Sequence, residues 1–114
     1  ISNGLVTNDN TIQTNPELVR SVVRAFLRGL QDTLQDPDAA FAITRKYIPE
    51  MNDETAKLQR AVLDECLLFW QSDTPGFNDP AAWEESVNLL SELGLLSAPL
   101  EPESVYTNQF IPSK

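Results

Sequence analysis

The sequence predicts a mainly α-helical chain, four helices preceded by one short strand. Three observations predict it. An Asx-Pro pair recurs at Asn15-Pro16, Asp36-Pro37 and Asp79-Pro80, each time just ahead of an apolar-periodic segment. Val19, Val22, Val23, Phe26, Leu27, Leu30 and Leu34 recur at helical spacing and draw one apolar stripe. Gly94 follows the last periodic residues, where a helix commonly ends on a left-handed residue.

The elements follow in chain order. Leu5-Val6-Thr7 is a short strand-like run with no second strand beside it. Its backbone groups need a partner from another chain or from preceding sequence. Residues 8–15 are polar and turn-rich. Asn15 reads as an N-cap, Pro16 as the first helical residue and Glu17 as a first-turn acid, opening a helix over 16–34. Asp36-Pro37 opens a second helix over 37–48, with Ala40, Ile43, Tyr47 and Ile48 inward and Pro49 ending it. Asn52 or Asp53 caps a third helix over 53–71. Its second half, Cys66-Leu67-Leu68-Phe69-Trp70, is apolar on most sides and predicts a buried segment with several neighbours.

A loop around Pro75-Gly76 leads to a fourth helix over 80–93, with Trp83, Val87 and Leu90 on one face and Leu95 folding back onto Leu90. From Ser97 onward the tail holds Pro99, Pro102 and Pro112 around Val105, Tyr106 and Phe110, and is expected to run extended over the surface. The helix spans are unequal and their starts irregularly spaced, which rejects a helical repeat.

Composition narrows the function. The 114 residues carry 17 acids against 8 bases, a net charge of −9, and 41% hydrophobic residues. A packed core is possible, while nucleic acid and anionic membrane are poor partners for so acidic a chain. There is no histidine and one cysteine, Cys66, so histidine-dependent catalysis, an internal disulfide and a thiolate cluster are excluded within the chain. The four glycines are isolated, and no phosphate loop, GxSxG or HExxH motif occurs. No metal, cofactor or enzymatic activity is expected. No apolar run reaches the roughly 20 residues that cross a bilayer.

Four features are candidate sites. Arg20, Arg24 and Arg28 form a stripe that suits an anion, but Glu17 and Asp32 stand at pairing distance along the helix, and a solvated face is the favoured reading. Glu65 falls on the wheel between Leu58, Ala61, Val62, Leu68 and Phe69. Desolvation there would make it a proton-handling group, or it is satisfied by an arginine or a helix N-terminus, and the second reading is favoured. Trp70, Phe77 and Trp83 are either a stacking box for a planar ligand or core, with core favoured. Cys66 reads as a small buried hydrophobe.

The ordered motifs then bring a family into view. Ser2-Asn3-Gly4-Leu5-Val6-Thr7-Asn8-Asp9, Asn15-Pro16-Glu17-Leu18-Val19-Arg20, Ala25-Phe26-Leu27-Arg28-Gly29-Leu30 and Asp36-Pro37-Asp38-Ala39-Ala40 open the series. Gly76-Phe77 with Asp79-Pro80 and Trp83, Leu93-Gly94-Leu95-Leu96, and Tyr106-Thr107-Asn108-Gln109-Phe110-Ile111-Pro112 continue it. Together they resemble the C-terminal third of ABC-importer substrate-binding proteins. The nearest group binds the pyrimidine precursor of thiamine, and relatives bind riboflavin, sulfonates, taurine and nitrate.

The resemblance implies a two-lobe α/β periplasmic-binding-protein fold of type II when complete. Residues 1–8 would be its hinge or crossover strand, 15–96 a helical region and 97–114 an extended tail. It implies that Ser2 and Asn3 lie near the ligand cleft. Many relatives carry an aromatic residue before the Ser-Asn pair, where this chain has Ile1. It also implies an extracytoplasmic location, a small organic solute bound through upstream lobes, and an ABC transporter permease as partner. On this reading the chain begins downstream of its own start. Its apolar faces, cut off from their lobe, should make the isolated chain self-associate. The alternative is a stand-alone all-helical module that takes a partner helix in an apolar groove.

Overall fold

The computed structural model describes residues 4–112. It contains α1 (Asp9–Thr14), α2 (Pro16–Gln35), α3 (Pro37–Tyr47), α4 (Asp53–Trp70) and α5 (Pro80–Glu92), then a 3-10 turn at Pro102–Ser104. The mainly helical class and all four expected helices are present, each within one residue of its expected bounds.

The helix starts are set by local chemistry. Asp36 accepts from the Ala39 amide at 2.9 Å, Asn52 from Thr55 at 2.9 Å and Asp79 from Ala81 at 3.0 Å. Each satisfies one donor that the first turn leaves unpaired. The end of α5 is equally explicit. Gly94 sits at φ +67°. The Leu95 amide reaches the Leu90 carbonyl at 2.9 Å and the Gly94 amide reaches Ser91 at 3.0 Å. These are the two bonds of a Schellman stop, as the placement of Gly94 predicted.

Three expectations need correction. First, α1 occupies residues read as an irregular lead-in. Asn8 caps it by accepting from the Thr11 amide at 2.8 Å, and Asp9 favours the positive end of the helix. Asn15 therefore does not cap α2 with its side chain. It joins two helices: its carbonyl accepts from Leu18 and Val19, its backbone amide donates to the Thr11 carbonyl at 2.9 Å, and its side-chain Nδ2 donates to the Thr14 hydroxyl at 3.3 Å.

Second, no strand forms among the described residues. Leu5, Val6 and Thr7 are irregular and exposed. Their side chains suit a strand, but a strand exists only when a neighbour takes its backbone bonds, and none is at hand.

Third, the apolar faces are far less covered than their periodicity suggested. Among the described residues the buried hydrophobic side chains are Ala56, Val87 and Phe110. In α3, Tyr47 is 82% exposed and Ile43 is exposed with it, as is Ile48 just after the helix. In α4, Cys66 and Leu67 are half-buried, but Phe69 is 84% exposed and Leu68 is exposed with it. In α2 the half-buried apolar residues are Val19, Val23, Leu27, Leu30 and Leu34, a narrow stripe with Val22 and Phe26 exposed on its flank. Amphipathic periodicity reports which face can be buried. Burial itself needs a surface to pack on.

The chain divides into two compact units, residues 4–24 with 76–112, and residues 25–75. In the second unit α3 packs on α4. Arg45 at the end of α3 meets Asp53 at the start of α4 at 2.8 Å, while Asp38 at the start of α3 meets Arg60 two turns into α4 at 2.7 Å, so the helices run antiparallel. The first unit is built from both ends of the chain, with the tail laid against α5.

Candidate functional site

Ser2 and Asn3, the residues expected near a ligand cleft, lie outside the described residues. The described residues hold two polar constellations. One ties α3 to α4, and the other ties the C-terminal tail to the start of α5.

In the first, Arg60 is shared between two carboxylates. Its Nη2 donates to Asp38 at 2.7 Å and its Nη1 to Asp64 one turn further along α4. These hydrogen bonds hold the guanidinium pKa above its already high ordinary value. Beside it an open depression of about 340 Å3 is lined by Phe41, Arg45, Asp53, Ala56, Lys57 and Arg60. Its arginines are already matched by Asp38, Asp53 and Asp64, so their charge is spent within the helix pair. The floor is the small buried Ala56, which lets the two helices approach. The arrangement fastens a helix pair. No group of three or more Cys, Asp or Glu side chains among the described residues is placed to hold a metal ion.

In the second, the Asn108 carboxamide pairs with the backbone of Asn78 in both directions. Its Oδ1 accepts from the Asn78 amide at 2.8 Å and its Nδ2 donates to the Asn78 carbonyl at 2.9 Å. The Asn78 side chain in turn accepts from Trp83 Nε1 at 3.1 Å. Trp83 stacks on Tyr106 with ring centroids 5.5 Å apart and planes 12° from parallel. Arg20 of α2 lies over the Phe110 ring, 5.6 Å from its centroid. The network is part-buried and fully paired, which is the condition for a polar cluster to stiffen the fold rather than weaken it.

The features weighed from sequence fall as follows. Arg20 pairs with Glu17 at 3.4 Å, as the spacing predicted, and also faces Phe110. Arg24 and Arg28 are exposed, and no ion pair joins Arg28 to Asp32. Glu65 is exposed, because the apolar residues meant to enclose it, Leu58, Val62, Leu68 and Phe69, are exposed too. Trp83 takes Tyr106 as its stacking partner, while Trp70 belongs to the other unit and Phe77 is exposed. Cys66 is half-buried. The Asn78–Asn108 pair carries no sequence motif. The legible signal was the alternation of Tyr106, Asn108 and Phe110 with the polar Thr107 and Gln109.

Comparison with known proteins places this assembly. Residues 1–40 match the family described as NMT1/THI5 like. The chain is 42% identical over 116 aligned positions to the riboflavin-binding protein RibY of Chloroflexus aurantiacus, covering 97% of this chain and 33% of that protein. It is 27% identical over 106 positions to the 4-amino-5-hydroxymethyl-2-methylpyrimidine phosphate synthase of Aspergillus parasiticus, covering 93% of this chain and 29% of the synthase. The synthase of the same name from Schizosaccharomyces pombe is 24% identical over 97 positions, covering 85% and 27%. The chain thus spans about a third of the length of these relatives. No solved structure matches it.

Proposed function

We propose that this chain, whose residues 1–40 match the NMT1/THI5-like family, is the C-terminal segment of an extracytoplasmic solute-binding protein that delivers a small heteroaromatic solute to an ABC importer. The observation that carries the reading is the 42% identity, over 97% of the chain, to a riboflavin-binding protein. That relative makes a flavin the first solute to test and a thiamine pyrimidine precursor the second. The exposed apolar faces of α2, α4 and α5 support the same reading, since they suit helices that lean on a larger body. On this view Ser2 and Asn3 stand near the hinge and cleft, upstream lobes supply most of the pocket, and the permease is the docking partner. Among the described residues no helix is long and apolar enough to cross a membrane.

A second reading, an enzyme of pyrimidine phosphate synthesis, is favoured by the names of the 27% and 24% identical relatives. One experiment separates the two. The natural full-length protein is titrated with riboflavin, following quenching of the flavin emission, and in parallel with the hydroxymethylpyrimidine by calorimetry. Saturable, stoichiometric binding of either at micromolar Kd or tighter is expected. Absence of both, or formation of a pyrimidine phosphate by the purified protein, overturns the proposal.

A further inference from the structure

Residues 106–110 alternate in burial, and the run turns at Gln109 and Phe110, where the Ile111 amide donates to the Asn108 carbonyl at 3.1 Å. Tyr106 and Asn108 are half-buried and Phe110 is 5% exposed, while Thr107 and Gln109 between them are exposed. The three inward residues grip three different places. Tyr106 stacks on Trp83 within α5. Asn108 pairs with both backbone groups of Asn78, immediately ahead of the α5 cap residue Asp79. Phe110 lies under Arg20 in the first half of α2. The Asn78 side chain adds a bond to the Thr107 carbonyl at 3.3 Å and one to Asn108 Oδ1 at 3.2 Å.

We propose that this C-terminal segment is a cross-brace: it couples the first half of α2 to the start of α5, with Asn108 as the positioning residue that locks it. The segment thus has one adhesive face, with Tyr106 and Asn108 ahead of the turn and Phe110 within it. The Asn108 carboxamide presents the donor and acceptor that a neighbouring strand's peptide unit would offer, so Asn78 obtains a ladder-like pairing from a side chain. The tail cannot provide this by forming a sheet, because its partner is the single residue between a loop and a helix. The placement of the first half of α2 and that of the start of α5 thereby become one variable. The inference rests on these contacts alone and does not depend on which solute the whole protein binds.

The test is amide hydrogen exchange on the natural full-length protein, read over Val19–Arg24, Asn78–Val87 and, as a control, α4. In Asn108→Ala, exchange at Asn78 and through the first turn of α5 is expected to rise roughly five- to thirtyfold, the range expected for the two hydrogen bonds lost. A smaller rise is expected to follow across the brace at Val19–Arg24, with α4 unchanged. Asn108→Asp keeps the acceptor and loses the donor, and is expected to restore part of the protection at Asn78. Acceleration confined to Asn78, or equal acceleration in α4, overturns the proposal. Should Asn108→Ala fail to fold, Arg20→Ala decides, since alanine suits a helix surface. It removes only the α2 end of the brace, and exchange at Asn78–Val87 must rise. If it stays at the wild-type rate, α2 and α5 are not coupled through the tail.

Discussion

Trp83 lies nearly flat on Tyr106, and its indole Nε1–H donates at the same time to Asn78. One side chain of α5 thus meets the tail through its face and the preceding loop through its edge. Tyr106→Ala removes the face contact and leaves the edge bond. It is expected to destabilise the first unit by about 2 kcal/mol, from lost packing and stacking together. It should also shift Trp83 emission to longer wavelength. Denaturant unfolding and fluorescence in a Trp70→Phe background, which leaves Trp83 as the chain's one tryptophan, check both.

Gly94 is held at φ +67°, and a Cβ added there meets no atom within 4 Å. Any cost of Gly94→Ala is therefore backbone strain alone, on the order of 1 kcal/mol. The expected result is fraying confined to the last turn of α5, seen as faster exchange at Leu93 and Leu95. A stability equal to wild type would mean that the Schellman stop is dispensable.

Asp36 caps α3 through its carboxylate, and the helix it starts is only 11 residues long. Asp36→Ala is expected to cost about 1 kcal/mol, and Asp36→Asn much less, because the amide oxygen can still accept from Ala39. Thermal unfolding of the two variants side by side checks the order.

The α3–α4 pair is fastened mainly by exposed ion pairs over one buried alanine. Such pairs are screened by salt. Exchange in α3 is expected to speed up between low and molar salt, and less so in Arg60→Met, where the shared guanidinium is already gone. A salt response identical in variant and wild type would show that the pair is held by its apolar contacts.

As an isolated 114-residue chain the protein is expected to self-associate. Phe69, Leu68 and Leu58 of α4, with Phe26 of α2, Leu89 of α5 and Leu93 just after it, leave apolar area in water. Burying it gains about 25 cal/mol per Å2. The charge of −9 opposes this, but is screened beyond about 10 Å at ordinary salt. Light scattering over a concentration series is the check. A mass that stays at 12.7 kDa up to millimolar protein contradicts it.

What could be read from residues alone was chemistry that acts within five positions. Asp36-Pro37 and Asp79-Pro80 start helices and Gly94 stops one, because a cap or a left-handed turn is satisfied by its own neighbours. The six-residue α1 escaped because its start signal, Asn8-Asp9, has almost no apolar stripe behind it. Everything that needs a distant partner was settled by the fold. Leu5-Val6-Thr7 has strand-forming side chains and no strand, because pairing comes from elsewhere. Glu65 looked enclosed on a wheel and is exposed, because a wheel shows which residues share a face and not whether that face is covered. Asn78 and Asn108 are 30 positions apart and carry no pattern. Only when the tail returns to the start of α5 do a side-chain amide and a backbone become each other's partners.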